Sequence, residues 1–290
     1  MNAEIEQLKA MIATGMPDGP QTLEQRRAGM EEMARAFPAP DGIEYQETEI
    51  AGVSVLEAQP EGGASAGPVI LYFHGGGYVS GSIRTHRNFA GELALRTGLK
   101  LVSVDYGLAP EHPFPAALDD ALAVYDALAG DTPLVLAGDS AGGGLALSLA
   151  LAAKAAGGPQ PERLALLCPW VDLSCTNASF AAVAEHDPII DQERLAEDGR
   201  HYLGGADARD PGPSPLFGDL AGLPPLLIQA AEHDSLVGEA RELAEKAKAA
   251  GVPAAYREYP EMVHVFQLFH ALLTPGRAAL DEAAEFLKNG

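Results

Sequence analysis

The sequence predicts an α/β fold: a mostly parallel central sheet flanked by helices, with additional helices near one end. Short apolar runs alternate with helical stretches from residue 68 onward, the pattern of a parallel sheet covered on both faces. The chain of 290 residues, 47% hydrophobic and 21% charged, is long enough to bury such a sheet in one core. It carries no low-complexity tract or internal repeat, so an ordered globular protein is expected.

The strands are expected at 69–73, 99–104, 133–137, 164–167, 226–230 and 254–259. An antiparallel pair at 45–50 and 53–59, turning at Ala51-Gly52, precedes them. Helices should begin near Thr85, Ala116, Ala141, Val237 and Gly276. Ahead of the sheet, Ile5, Leu8, Met11 and Ile12 recur at helical spacing, and a second helix is expected over 22–36 before the breaker Pro38-Ala39-Pro40-Asp41-Gly42. Residues 184–215 hold no strand candidate; Asp191 there can cap a helix to about residue 203, followed by a Gly- and Pro-rich loop. The expected division is therefore an N-terminal helical cap segment, 1–40, and an α/β domain, 41–290, with a cap insertion near 184–215. The two helical pieces would cover the carboxyl ends of the strands, where α/β proteins bind ligands.

Charge and cysteine content narrow the function classes. A net charge of −22, from 41 acidic against 19 basic residues, repels phosphate backbones and anionic lipid headgroups, so neither nucleic acid nor a membrane is an expected partner. Cys168 and Cys175 are the only cysteines, which suggests neither a disulfide framework nor a zinc site. Glu4 and Glu6 stand where a secretory signal would be basic and then apolar, and the most apolar helical run, 145–153, is about half of the roughly 20 residues a bilayer demands. A cytoplasmic protein is expected, and a homodimer is allowed. No histidine pair has metalloprotease spacing and no glycine-rich loop is free for a dinucleotide, so no metal or cofactor is expected.

The chemistry-bearing residues form an ordered set. Gly138-Asp139-Ser140-Ala141-Gly142 fits GxSxG, in which small flanking residues permit a sharp strand-to-helix turn that exposes the serine hydroxyl. A second match, Gly63-Ala64-Ser65-Ala66-Gly67, lies in a loop leading into a strand, which is the wrong context. His74-Gly75-Gly76-Gly77 follows the strand at 69–73 as an HGGG loop, so the amides of Gly75, Gly76 and Ala141 are the expected donors to an oxyanion. Asp234 follows the strand at 226–230 and His264 the strand at 254–259, completing the chain order Ser, Asp, His. His233 abuts the aspartate and His270 sits among Leu268, Phe269 and Leu272, leaving His264 as the base that takes the Ser140 proton while Asp234 holds its tautomer.

Taken together, His74-Gly75-Gly76-Gly77-Tyr78, the run DYGLAPEHPFPAALDD at 105–120, Gly138-Asp139-Ser140-Ala141-Gly142-Gly143, Asp234 and His264 resemble the bacterial hormone-sensitive-lipase-like (family IV) esterases of the α/β-hydrolase superfamily. The resemblance covers about 42–290 and extends more loosely to the N-terminal helices, implying a two-part cap from 1–40 and 184–215. It implies a carboxylesterase acting on short- to medium-chain esters through an acyl-Ser140 intermediate, with Tyr78, Leu108 and Phe266 lining the acyl side. The likeness departs at two places. Gly107 stands where the family's Tyr-Arg-Leu-Ala-Pro has arginine, and Gly238 where a second acidic residue is common, with Glu239 adjacent. Lactone or arylformamide hydrolysis would use the same triad, and a binding role without catalysis is known among receptor-like relatives that lack the catalytic histidine; here His264 is present.

Overall fold

The computed structural model describes residues 3–15, 21–130 and 132–289, so residues 1–2 and 16–20 of the expected N-terminal segment lie outside the described residues. Strands β1 (Ile43–Ile50) and β2 (Val53–Pro60) pair antiparallel across Ala51-Gly52. They are followed by β3 (Val69–Phe73), β4 (Leu101–Val104), β5 (Leu134–Asp139), β6 (Leu164–Leu167), β7 (Leu226–His233) and β8 (Ala254–Val263). The eight strands form one sheet in the order β1-β2-β4-β3-β5-β6-β7-β8. β2 joins β4 antiparallel and every later pairing is parallel.

Alternation along each strand sends neighbouring side chains to opposite faces. Ile70, Tyr72 and Val135 meet Phe89 and Leu93 of α3 (Arg87–Thr97) and Leu280 and Leu287 of α9 (Thr274–Asn289). Leu71, Phe73 and Leu136 face the other layer, built by α4 (Ala116–Ala129), α5 (Ala141–Ala155) and α8 (Val237–Ala249). The inner strands β4, β5 and β6 are buried at every position, as strands covered on both faces must be. Helix α5 is buried around nearly its whole circumference, which its Ala, Gly and Leu composition permits.

Helices α1 (Ala3–Gly15), α2 (Leu23–Arg35), α6 (Ser179–Val183) and α7 (Gln192–Leu203) complete the fold. Local signals start two of them: Thr22 and Gln25 form a reciprocal capping box, and Asp191 Oδ1 accepts the Arg194 amide at 2.8 Å. The apolar stripe Ile5, Leu8 and Ile12 of α1 belongs to a cluster with Met262, Val263, Phe266 and Phe269, so α1 lies over the turn that follows β8. Among the described residues no helix is long and apolar enough to cross a membrane.

Several expected boundaries move. β4 begins at Leu101, two residues beyond the expected 99, because the turn at Gly98 is left-handed (φ 70°) and ends α3 there. The short α6 was not anticipated; five residues are too few to show a periodicity. β7 and β8 continue beyond 230 and 259, with an irregularity between Ala231 and His233 and with His233 paired to Val263. Pro260 and Glu261 read as a strand end, yet β8 is an edge strand, where proline is tolerated.

Two adjacent arginines tie α2 to the rest of the chain. Arg26 forms a bidentate pair with Asp198 of α7, both bonds 2.7 Å. Arg27 donates to the Val79 carbonyl (2.7 Å) and the Ala109 carbonyl (3.0 Å) and grips both oxygens of Glu111. The Arg26–Asp198 pair is largely removed from water, with side-chain exposures of 17% and 8%, so a partner left alone is poorly solvated. Arg26→Ala and Asp198→Ala should each lower stability in urea unfolding, and the double mutant should cost less than their sum, with a coupling of about 1–3 kcal/mol; strict additivity would show that the pair does not hold α2.

Candidate active site

Ser140 stands between β5 and α5 at φ 52° and ψ −122°, a conformation that L-residues adopt only when the surroundings enforce it. The enforcement is visible. The Ser140 amide donates to the Leu167 carbonyl (2.9 Å), and its carbonyl accepts the amides of Trp170 (2.9 Å) and Gly144 (3.1 Å). The turn packs so tightly against the end of β3 that a Cβ at Gly142 would be driven into the Phe73 carbonyl. The hydroxyl thus projects from a fixed point at the carboxyl edge of the sheet, with Ser140 only 6% exposed.

His264 and Asp234 reach Ser140 because β7 and β8 run on together: with His233 and Val263 paired, the next residue of each strand is delivered side by side. His264 Nδ1 lies 2.9 Å from Asp234 Oδ2, and His264 Nε2 lies 2.9 Å from Ser140 Oγ. The other Asp234 oxygen accepts the Leu236 amide at 2.9 Å, which fixes the carboxylate. All three side chains are buried. Burial works against the imidazolium, but the carboxylates of Asp234, Asp187 and Asp139 outweigh it and hold the His264 pKa above its ordinary value. An imidazole so held can accept a hydroxyl proton and return it, with the resulting cation stabilised by the carboxylate behind it. The Cys168 thiol is pushed well above its usual range by burial and by Asp234. Its sulfur and ligand atoms of Asp234 and His264 lie within 4.8 Å of one another, a spacing found in metal sites. Here Asp234 and His264 are bonded to each other, and burial holds the thiol's pKa well above its usual range.

The glycine loop corrects one expectation. The Gly75 amide donates to Asp139 Oδ1 at 3.0 Å and is not available to an oxyanion. The amides of Gly76, Gly77 and Ala141 donate to no group among the described residues. Gly76 (φ 121°) curls the loop so closely over the Ser80 carbonyl that no side chain fits. Asp139, which was not singled out from the sequence, organises this region: Oδ1 also accepts the Tyr72 hydroxyl at 2.5 Å, and Oδ2 lies 3.6 Å from His86 Nε2. Its place in the GxSxG turn, directly before Ser140, was the available signal. His74 is kept neutral, its pKa lowered to about 3 by burial and by His86, and it stacks on Tyr106 at 4.3 Å. The Tyr106 hydroxyl donates to the His74 carbonyl (2.6 Å), securing the loop's first residue.

The three expected substrate contacts have different surroundings. Tyr78 is buried at φ 63° with its ring stacked on Tyr202 of α7 at 3.8 Å and 4°. Leu108 lines a surface cavity of about 390 Å³ with Arg27, Glu31, Ser82 and Asp105, and Ser140, Asp234 and His264 are not among its walls. Phe266 is fully buried against Tyr259 (4.9 Å) in the cluster beneath α1, where it braces the His264 turn. His270 is bonded to the Gln267 carbonyl through Nδ1, and its Nε2 lies 3.8 Å from Glu92 Oε1. At Gly107 the amide donates to Asp120 Oδ2 (2.8 Å), and a Cβ there would press on His112 at 3.0 Å, so no larger residue fits without displacing it. At Gly238 a side chain would collide with Asn177 and Ser179. Neighbouring Glu239 instead reaches under the site, accepting the amides of Val171 (3.0 Å) and Asp172 (2.6 Å); burial raises its pKa well above the carboxylate range.

Comparison with known proteins agrees with this architecture. A family described as alpha/beta hydrolase fold matches residues 70–268. An acetyl-hydrolase of Streptomyces hygroscopicus is 41% identical over 226 residues, covering 77% of this chain and 76% of that protein. An esterase of Acinetobacter venetianus is 37% identical over 265 residues, covering 90% and 87%. Among solved structures, the esterase EstE5 soaked with p-nitrophenyl butyrate superposes with a TM-score of 0.94 at 39% identity, covering 99% of this chain and 98% of that one. An esterase of the bacterial hormone-sensitive lipase family superposes with a TM-score of 0.95 at 38% identity, with the same coverage. The chain belongs to the hormone-sensitive-lipase family of bacterial carboxylesterases, within the α/β-hydrolase fold.

Proposed function

We propose that the chain hydrolyses short- to medium-chain carboxylic esters by a Ser140–His264–Asp234 mechanism, a reading carried above all by the unbroken relay of 2.9 Å contacts from Ser140 Oγ through His264 to Asp234. His264 Nε2 takes the hydroxyl proton as Ser140 Oγ attacks the ester carbonyl, then returns it to the departing alcohol. A water molecule, deprotonated by the same nitrogen, releases the acid from Ser140. The free amides of Gly76, Gly77 and Ala141 form the oxyanion hole, each worth about 3–4 kcal/mol of barrier reduction. α1, α2 and the helical segment around α7 act as the cap. The stacked rings of Tyr78 and Tyr202, between the glycine loop and α7, are the proposed end of the acyl side, which would favour small acyl groups; the relative EstE5 was soaked with p-nitrophenyl butyrate, an ester of this size.

Purified protein should hydrolyse p-nitrophenyl acetate and butyrate well and palmitate poorly, while Ser140→Ala, shown folded by circular dichroism, should lose at least about a thousandfold in kcat. Activity retained by Ser140→Ala would end this mechanism, and a palmitate preference would end the chain-length assignment. Asp234→Asn, which preserves shape but removes the charge, should lower kcat by about a thousandfold or more with the fold intact. Because His264 must be neutral to accept the proton, and its pKa is held above the ordinary 6.5, kcat/KM should fall as pH drops through a value above 6.5. A pH–rate profile still flat well below that value would show that His264 is not the base.

A further inference from the structure

The segment between β6 and β7 grips the turn that carries Asp234 from two sides. Ser235, the next residue, has its amide held by Asp187 Oδ2 (2.8 Å) and its carbonyl held by the Ser179 hydroxyl (2.6 Å). The second oxygen of Asp187 accepts the amides of Ile189 (2.9 Å) and Ile190 (3.0 Å), so one carboxylate joins its own loop to the Asp234 turn through three amides. The flanking histidines repeat the contact, the His186 ring stacking on His233 at 4.9 Å and 25°. Ile189 then packs against the cluster that contains Val265 and Phe266, the two residues that follow His264.

We propose that Asp187 is a positioning residue for the proposed triad, holding Asp234 in register with His264 from the segment that closes over the site. This rests on the Ser140–His264–Asp234 reading and goes beyond it by making the helical segment part of the proton relay's support. A carboxylate that accepts three amides has its position fixed by them. Its charge acts on His264 together with those of Asp234 at the end of β7 and Asp139 at the end of β5, while burial pushes the nearby Cys168 thiol at the end of β6 well above its usual range. Asp187 therefore contributes twice: through the Ser235 amide it fixes the acid, and through space it favours the imidazolium formed when Ser140 is deprotonated. Removing it should displace the relay slightly and remove one of the charges that favour the imidazolium.

The test uses the full-length chain and p-nitrophenyl acetate. Asp187→Asn, of the same shape, and Asp187→Ala should lower kcat by about ten- to a hundredfold, the scale of a small misplacement of reacting groups, with KM within about threefold. In both, the acid limb of kcat/KM should move to lower pH, since less negative charge then supports the protonated imidazole; Asp187→Glu should restore part of kcat and return the limb toward its wild-type position. Ser179→Ala loosens the same turn without touching charge and should lower kcat while leaving the limb in place. Wild-type kcat in both Asp187→Asn and Ser179→Ala overturns the proposal. A lowered melting temperature with an unmoved acid limb in Asp187→Asn also overturns it, because a merely structural contact would give that result. If ester hydrolysis proves independent of Ser140, the triad reading itself has failed; if it depends on Ser140 and Asp187→Asn is normal, only the role of Asp187 has failed.

Discussion

The left-handed turn at Ser140 is the constraint around which the molecule is arranged. Strain of this kind costs about 1–3 kcal/mol and persists only where neighbours over-determine it. Here the neighbours are the ends of the adjacent strands. The Leu167 carbonyl at the end of β6 and the Trp170 amide just beyond it hold the serine's own backbone, while the Phe73 carbonyl at the end of β3 leaves no room for a side chain at Gly142. The position of Ser140 is therefore set by three parallel strands at once. A displacement of any one would be felt at the hydroxyl, which explains why β5 and β6 are buried at every residue.

Buried carboxylates do the remaining positioning. Asp139 ties the turn to the glycine loop through the Gly75 amide, Asp234 ties β7 to His264, Asp187 ties the β6–β7 segment to Ser235, and Glu239 ties α8 to the chain beyond β6. Each accepts backbone amides, whose fixed dipoles compensate a buried acceptor without the entropy of a long cationic side chain. Glu239 differs in its surroundings: burial raises its pKa well above the carboxylate range, and its second oxygen has no hydrogen-bond partner among the described residues.

What was legible in the sequence follows from the range of each interaction. Apolar runs, the capping residue Asp191 and the GxSxG turn are local, and each led to the element found there. The chain order of Ser140, Asp234 and His264 was readable because each follows its strand directly, and the structure brings the three together. Gly75 was misjudged because its four-residue motif contains three equivalent amides, and only the distant Asp139 decides which one is occupied. Phe266 and Leu108 were named from the family likeness, which says nothing of α1 packing over the first and α2 bordering the second. Asp187 had no signature at all: its partners are amides, which every residue possesses, and one of them is 48 residues away.

The strongly acidic composition gives the two adjacent arginines of α2 unusual weight. With 41 acidic residues against 19 basic ones, most carboxylates must rely on water or amides, and a cation placed near the site affects many neighbours. Arg26 meets Asp198, whose carboxylate lies against Gly77 closely enough that a Cβ on the glycine would sit 3.3 Å from it. Arg27 holds the Val79 carbonyl two residues farther along the same loop. One helix thus restrains both the glycine loop and α7, and it does so through bidentate or branched guanidinium contacts that lysine cannot reproduce. Restraint from α2 on the glycine loop and from the Asp187 segment on the Asp234 turn means that the helical elements hold two sides of the candidate site, the glycine-loop side and the Asp234–His264 side, from outside the sheet.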